Sequence, residues 1–220
     1  MNRILGVMDS KGHWETIYRT KEPHELSWFQ REAQTSLAVI RRVVPERTAE
    51  IIDVGGGAST LVDGLVAAGY RRVTVLDLSP SALELARRRL GSAASDVTWL
   101  EADALSADLP RRHFDLWHDR AGFHFLTSAA DRARYVEQVR MSVKPGGYVL
   151  VATFAHDGPP RCSGLPVVRY TAGGLHQEFG SGFRLVESVR EDHVTPSGAK
   201  QAFVYCLCQM EPAASEIVAA

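Results

Sequence analysis

The sequence predicts an α/β fold, with a seven-stranded, mostly parallel sheet, helices on both of its faces and an antiparallel C-terminal strand. The first observation is that short apolar runs alternate with amphipathic helical stretches through the middle of the chain, which is typical of a parallel sheet. The second is that residues 183–194 and 199–210 form two strand-like runs joined by Thr-Pro-Ser-Gly. Because that turn leaves no room for a crossover helix, the two runs should pair antiparallel.

Local signals support the individual elements. Pro45 ends the first predicted helix, and Ser79 followed by Pro80 gives a later helix an N-cap and a first-turn proline. Both faces of 199–210 are apolar, which favours an interior strand. The predicted helices lie at 32–44, 60–68, from 79 onward and at 128–141. The predicted strands lie at 51–54, 72–76, 97–101, 114–118, within 144–154, and at 183–194 and 199–210. We expect one domain over residues 1–210 and a flexible tail over 211–220.

The composition is that of an ordinary globular protein, with 45% hydrophobic and 23% charged residues. The 25 basic and 26 acidic residues give a net charge of −1, which does not provide the basic field of a nucleic-acid-binding protein. No apolar stretch approaches the roughly 20 residues of a membrane span, and the N-terminal one is too short for a signal peptide. The cysteines Cys162, Cys206 and Cys208 lack zinc spacing. We expect a cytoplasmic protein without metal, nucleic-acid or membrane partners.

Three consecutive glycines separate the first strand from the next helix, two residues after Asp53. A parallel strand that ends in a tight glycine turn brings backbone close to a ligand, although such turns also occur for purely structural reasons. No Gly-Lys-Ser/Thr follows, so the turn is not a phosphate loop. A dinucleotide site fits better, because Gly55 and Gly57 match two glycine positions and Asp77 lies where a ribose-binding acid is expected. Against this, Thr60 replaces the third small residue.

The order of these motifs resembles that of the class I S-adenosylmethionine-dependent methyltransferases over nearly the whole chain. The stretch 53–59 is similar to their first motif, which holds the methionine part of the cofactor, and 144–147 is similar to the Pro-Gly-Gly turn after their fourth helix. By this resemblance, Asp77 would accept hydrogen bonds from both ribose hydroxyls, and Asp103 with the backbone of Ala104 would read the adenine. The resemblance implies a Rossmann-like sheet and S-adenosylmethionine as the cofactor. The predicted cofactor-binding residues are Trp28, Asp53, Gly55, Gly57, Asp77, Leu78, Asp103, Ala104 and His118.

Aromatic residues are dense in the polar N-terminal stretch, at Trp14, Tyr18, Trp28 and Phe29. One interpretation is that they only cover the open side of the sheet. The other is a lid over residues 1–30, because thiopurine-type methyltransferases and those that methylate elongation-factor lysines carry a similar tryptophan-rich segment that folds over the cofactor. Closing such a lid would exclude water. The ring face of Trp28 would suit the positive sulfonium of the cofactor.

The acceptor chemistry is expected after the fourth strand, where the chain runs Asp119-Arg120-Ala121-Gly122-Phe123-His124. Lysine-methylating enzymes have Asp-Lys-Gly-Thr there, followed by an apolar residue and an acid, and His124 replaces that acid. Thiopurine-type enzymes have Asp-Arg followed by Gly or Ala, which this chain matches, although their first loop is less glycine-rich. By this resemblance Arg120 lies by the substrate; alternatively, it only pairs with Asp119. His118 and His124 would act as a general base, orient an acceptor, or only pack beside the sheet.

The sequence therefore predicts an S-adenosylmethionine-dependent methyltransferase that acts on a small-molecule nucleophile, with a thiol or related soft atom as the first choice. Asp119, Arg120 and His124 are the catalytic candidates. A protein lysine is the second acceptor class, and a cofactor-binding module without catalysis is the alternative from a different class. Cys162 follows the fifth strand, where these enzymes elaborate their acceptor pocket, and is either a ligand for a soft metalloid or a small loop residue.

Overall fold

A seven-stranded sheet forms the centre of the protein, in a computed structural model that describes residues 10–212. Its strands are β1 (Glu50–Val54), β2 (Arg72–Asp77), β3 (Val97–Glu101), β4 (Phe114–Arg120), β5 (Val143–Phe154), β6 (Phe183–Val194) and β7 (Lys200–Met210). The α-helices in the described range are α1 (Ser10–Thr20), α2 (Gln34–Val43), α3 (Leu61–Ala67), α4 (Pro80–Leu90), α5 (Ala129–Ser142) and α6 (Ala172–Phe179). A short hairpin pairs Arg161–Cys162 with Leu165–Pro166 after β5.

The strand order is β3-β2-β1-β4-β5-β7-β6, and the first five strands in this order are parallel. β7 lies between β5 and β6 and is antiparallel to both, which confirms the predicted fold class and the interior position of this strand. The chain order reverses between β1 and β4, because β2 follows β1 on one side while β4 continues on the other. In open α/β sheets, ligands bind at the carboxyl ends of the strands beside such a reversal.

The helices cover both faces of the sheet and divide the core into two clusters. One cluster joins buried residues of β1 and β2 to apolar side chains of α2, α3 and α4, among them Ile40, Leu61 and Leu83. The other joins the opposite face to α5 and α6 through residues that include Val139 and Phe179. Because both faces are buried, the central strands are rich in apolar residues, with polar side chains such as Asp53 and His118 near their carboxyl ends. Within residues 10–212, no helix combines the length and the apolar character that crossing a bilayer requires.

Two helices were not predicted from the sequence. α1 occupies part of the stretch that we expected to be a polar, aromatic lid, and α6 lies between the hairpin and β6. α1 is attached to the start of α4, where the Glu15 carboxylate accepts hydrogen bonds from the Ser79 hydroxyl at 2.7 Å and from the side chain and backbone of Ser81. Residues 1–9 of the predicted lid and residues 213–220 of the predicted tail lie outside the described residues.

Candidate active site

A cavity of about 560 Å³ opens at the carboxyl ends of the four strands β1 to β4. This volume is within the usual range for small-molecule sites, about 300–1,000 Å³. Gly55 follows β1, Leu78 follows β2, Ala102 follows β3 and Ala121 follows β4, so each strand contributes wall residues where it ends. The parallel register therefore brings four separate stretches of sequence to one ligand-sized space.

Asp77, the last residue of β2, presents a carboxylate in the cavity wall. Its Oδ2 accepts a hydrogen bond from the Gly57 backbone N–H at 3.0 Å, and its Oδ1 accepts one from Ser79 N–H at 2.8 Å. Each oxygen keeps a second lone pair for a ligand hydroxyl. A Cβ on Gly57 would lie 2.5 Å from this Oδ2, so only glycine permits the contact. Burial raises the pKa of Asp77 to about 6, against the lowering effect of hydrogen bonds from Ser79 and Gly57.

Asp103 and Ala104 line the neighbouring part of the wall, just after β3. The Asp103 Oδ1 accepts a hydrogen bond from Leu105 N–H at 2.9 Å, which fixes the side chain at the end of the strand. The cavity thus has two carboxylates, Asp77 and Asp103, at the ends of adjacent strands. Carboxylates would repel a phosphate group. This arrangement fits a ligand that offers hydroxyl and amino donors.

Asp53 lies behind the glycine turn instead of in the cavity wall. Its Oδ1 is 2.7 Å from Nδ1 of His118, the residue opposite it on β4, and Nε2 of His118 is 2.8 Å from the Ser36 hydroxyl. Its Oδ2 is buried and has no hydrogen-bond partner in the described part of the chain. An unpaired buried acceptor is costly, so a donor from a bound ligand would stabilise this carboxylate. Gly55 turns the chain away with a φ of +68°, where glycine is favoured.

Asp119 organises the loop after β4. Its Oδ1 accepts hydrogen bonds from the N–H groups of Gly122 at 2.8 Å and Phe123 at 3.2 Å, and its Oδ2 accepts one from the Tyr135 hydroxyl at 2.6 Å. The loop can fold back because Ala121 adopts a φ of +70°. Burial raises the pKa of Asp119, although Tyr135 and the two N–H groups oppose this change. With both oxygens engaged, Asp119 is suited to shape the loop and is poorly placed to take up a proton.

Arg120 lines the cavity with a side chain that is bound on three sides. Its Nε donates to the Tyr205 hydroxyl at 3.0 Å, its Nη2 to the Glu191 carboxylate at 3.1 Å and its Nη1 to the Trp28 carbonyl at 3.2 Å. The predicted alternative, an ion pair with Asp119, is wrong, because the charge partner of Arg120 is Glu191 on β6. The positive charge is therefore already balanced within the protein.

His124 does not border the cavity. Its ring is fully buried, its Nδ1 accepts a hydrogen bond from Phe154 N–H at 3.3 Å, and burial lowers its pKa to about 3. The structure therefore does not bring His124 to an acceptor.

Cys162 does line the cavity, and burial raises the pKa of its thiol to about 12, so this thiol is protonated at neutral pH. No group of three or more potential metal ligands occurs among residues 10–212.

Aromatic side chains form the roof of the cavity. Trp14 packs edge to face against Trp28 at 5.8 Å between ring centroids and against Phe125 at 5.0 Å, and Tyr18 packs against Trp28 at 6.4 Å. Trp14, Tyr18 and Tyr135 line the cavity but were not among the predicted site residues. The spacing of Trp14 and Tyr18, four residues apart, was the available signal, since it places both rings on one face of a helix.

The cavity brings together most of the predicted site residues. The wall contains Trp28, Gly55, Asp77, Leu78, Asp103, Ala104, Asp119 and Arg120. Asp53, Gly57, His118 and His124 are outside the wall, and their contact with a ligand stays a prediction. Gly57 supports the wall from behind through its hydrogen bond to Asp77, whereas Asp53 and His118 pair with each other.

Comparisons with known proteins agree with this geometry. Residues 51–147 match the family model described as a methyltransferase domain. An uncharacterized methyltransferase of Mycobacterium tuberculosis is 33% identical over 121 residues, 53% of this chain and 56% of that protein, so the chain spans a little over half the length of this relative. The human EEF1A lysine methyltransferase 2 is 22% identical over 84% of this chain and 79% of that protein. A protein solved in work on the conversion of a disulfide bond into a thioacetal group during echinomycin biosynthesis aligns with a TM-score of 0.76 and 18% identity, over 95% of this chain and 96% of that one.

The matched family model, the sheet order and the wall residues all agree with one class of enzymes. The chain is similar to the class I S-adenosylmethionine-dependent methyltransferases, with the family match limited to residues 51–147, and S-adenosylmethionine is the cofactor of that class. The identity of the methyl acceptor does not follow from the class.

Proposed function

We propose that this protein transfers the methyl group of S-adenosylmethionine to a small, uncharged nucleophile, with thiols and related soft atoms as the preferred acceptors. The observation that carries the proposal is that one cavity joins the carboxylates of β2 and β3 to an aromatic end at β4. The first part suits the ribose and adenine of the cofactor. The second part suits an apolar acceptor.

The residues present fit the cofactor. Asp77 would hold the ribose hydroxyls with the free lone pairs of its carboxylate, and Asp103 with the backbone of Ala104 would hold the adenine. The turn at Gly55 would admit the methionine part, and the unpaired Oδ2 of Asp53 behind it offers an acceptor for an ammonium donor. When bound, S-adenosylmethionine supplies an electrophilic methyl group on a positively charged sulfur.

The roof and the β4 loop would provide most of the catalysis by orientation. Methyl transfer requires the attacking atom to be in line with the bond that breaks, so the fixed geometry of the site has more effect than proton transfer. The packed rings of Trp14, Tyr18 and Trp28 exclude water above the cavity. Asp119 fixes the loop that would face the acceptor through its three hydrogen bonds.

The charges of the wall support an uncharged acceptor. Arg120 is the basic side chain among the described wall residues, and Glu191 already balances its charge. An acceptor that carries a permanent negative charge besides its reacting atom would therefore meet carboxylates without a free side-chain cation to compensate for its desolvation.

No histidine is among the described residues that line this end of the cavity, which favours a thiol over a hydroxyl group. His124 lies away from the wall, and both oxygens of Asp119 accept hydrogen bonds. A thiol is ionised to a few per cent at neutral pH by releasing its proton to water, so it needs no dedicated base, and the positive sulfonium of the cofactor offsets the charge of the attacking thiolate.

A protein lysine is the second candidate acceptor. The likeness to a human elongation-factor lysine methyltransferase extends over most of the chain, and Asp131 in the wall offers a carboxylate for an incoming ammonium group. Against it, His124 stands in the sequence where the lysine-methylating enzymes have an acid. Binding of the cofactor without turnover on any acceptor is the third alternative.

The test is transfer of radiolabelled methyl from S-adenosylmethionine to a panel of small thiols, small amines and a cell lysate, with label measured separately in the small-molecule and protein fractions. We expect label on small thiols. Thiols come first in the panel also because the neighbour from echinomycin biosynthesis, a likeness of fold at 18% identity, concerns sulfur chemistry. Label confined to protein lysines would support the second candidate, and cofactor binding without label in either fraction would support the third.

A further inference from the structure

Two side chains of the edge strand β6 form hydrogen bonds with the segment that carries Trp28. Glu191 Oε1 accepts hydrogen bonds from the Gln30 side chain at 3.0 Å and from Arg120 at 3.1 Å, and its Oε2 accepts one from the Tyr205 hydroxyl at 3.1 Å. Two residues further along β6, His193 Nε2 donates to the Ser27 carbonyl at 2.8 Å. Two side chains on one face of β6 therefore bind residues on both sides of Trp28.

The backbone around Trp28 is fixed at three successive points. His193 holds the Ser27 carbonyl, Arg120 holds the Trp28 carbonyl at 3.2 Å, and the Thr60 hydroxyl donates to the Gln30 carbonyl at 3.1 Å. The indole of Trp28 lines the main cavity, and a second cavity of about 40 Å³ separates this segment from the glycine turn. The position of the indole thus depends on contacts from β6, from Arg120 at the end of β4 and from Thr60 after the glycine turn.

The central pair of this arrangement is nearly buried. The exposed fractions of the Arg120 and Glu191 side chains are 9% and 14%. Burial alone would raise the pKa of Glu191, but hydrogen bonds from Thr35, Arg120 and Tyr205 outweigh it and hold the pKa below its ordinary value. Glu191 is therefore ionised at neutral pH. Removing one member of a buried ion pair leaves the other charge uncompensated, which disrupts whatever the pair holds in place.

We propose that Glu191 is a positioning residue of the methyl-transfer site, which holds Trp28 over the cavity through a clamp formed by Arg120, Glu191 and Tyr205. In this clamp Arg120 holds the Trp28 carbonyl and does not bind the acceptor. The identity of the ligand under Trp28 rests on the proposed function. The position of Trp28 rests on the contacts of the clamp.

The test compares Glu191→Gln, which keeps the shape of the side chain and removes its charge, with Glu187→Gln as a matched control. Glu187 lies on the same strand and forms an ion pair with Arg42 on α2, away from the cavity. Binding of S-adenosylhomocysteine is measured by calorimetry, trypsin cleavage at Lys21 and Arg31 by mass spectrometry, and unfolding by a thermal scan. If Glu191→Gln fails to fold, Gln30→Ala removes one contact of Glu191 and takes its place.

We expect Glu191→Gln to weaken binding about tenfold or more and to speed cleavage at Lys21 or Arg31, whereas Glu187→Gln changes both by less than about twofold. A variant that melts earlier but binds the ligand and resists trypsin like the wild type overturns the proposal, because Glu191 is then only a stability residue. If the wild type itself does not bind S-adenosylhomocysteine, the proposed function fails, and cleavage alone decides whether the clamp holds the segment.

Discussion

Lowering the pH from about 7 to about 5 should weaken binding of S-adenosylmethionine about tenfold through one side chain, Asp77. Burial at the end of β2 raises the pKa of this carboxyl to about 6. The ribose hydroxyls need the ionised form as their acceptor. One unit above its pKa about ten elevenths of the groups are ionised, and one unit below about one eleventh, so the binding-competent fraction changes about tenfold.

The assay is calorimetric titration with S-adenosylhomocysteine at several pH values across this interval, with Asp77→Asn as the control. Asparagine cannot ionise, so the variant should bind about 10- to 100-fold more weakly at neutral pH and should show no slope between the two limits. A wild-type affinity that stays constant down to about pH 5 would refute the reasoning, as would an Asp77→Asn variant that keeps the wild-type slope.

The same carboxyl should also make the stability of the unliganded protein depend on pH. The folded protein should be more stable at low pH, whereas the ligand binds more tightly at neutral pH. Because the folded-state pKa is raised from 3.8 to about 6, the stabilising contribution of protonated Asp77 is complete below the unfolded value and is lost as the pH rises through the folded one. The change corresponds to at most about 3 kcal/mol. Urea unfolding at several pH values should show this decline in the wild type, and Asp77→Asn should remove it.

The remaining predictions concern the glycine turn, the β4 loop and the roof. Gly57→Ala should abolish cofactor binding in calorimetry, because the new Cβ would lie 2.5 Å from the Asp77 carboxylate. Tyr135→Phe should lower the free energy of unfolding in urea by about 1–3 kcal/mol, because it leaves a buried oxygen of Asp119 without its donor. Trp28→Ala should reduce both cofactor affinity and turnover while the protein keeps its circular dichroism spectrum, because the roof over the cavity opens.

Matched variants and contrary results decide these three predictions. Gly173→Ala is the control for the glycine turn, since its Cβ meets nothing within 4 Å, and equal loss of binding in both variants would show that the effect is general. Unchanged stability of Tyr135→Phe would mean that water replaces the hydroxyl. If Trp28→Ala unfolds the protein, the aromatic segment is part of the core, and the lid hypothesis loses its support.

The cofactor side of the site was predictable because its signals are local in the sequence. The glycine turn follows directly after β1, Asp77 is the last residue of β2, and Asp103 lies two residues after the end of β3. In a parallel sheet, residues at the carboxyl ends of the strands lie at one edge of the sheet, regardless of the sequence elsewhere in the chain. The interior place of β7 followed from a local pattern as well, because both of its faces are apolar.

The acceptor side was less predictable because its contacts are distant in the sequence. The partners of Arg120 on β6 and β7 are 71 and 85 residues away, so the motif around it gave no sign that its charge is balanced. His124 lies in the same motif but points into the core, because the left-handed backbone of Ala121 redirects the chain after β4. The helix α1 was not predicted because its stretch is mostly polar, and the four-residue spacing of Trp14 and Tyr18 is its main helical signal.

The most direct test of the account is calorimetric titration of the full-length protein with S-adenosylhomocysteine and, separately, with NAD at neutral pH. The glycine turn and the acid Asp77 at the end of β2 are shared by sites for both ligands, whereas Asp103 after β3 and Thr60 in place of the third small residue distinguish them. We predict saturable binding of S-adenosylhomocysteine with one molecule per chain and no measurable heat with NAD. Comparable binding of NAD, or no binding of S-adenosylhomocysteine, would contradict the account.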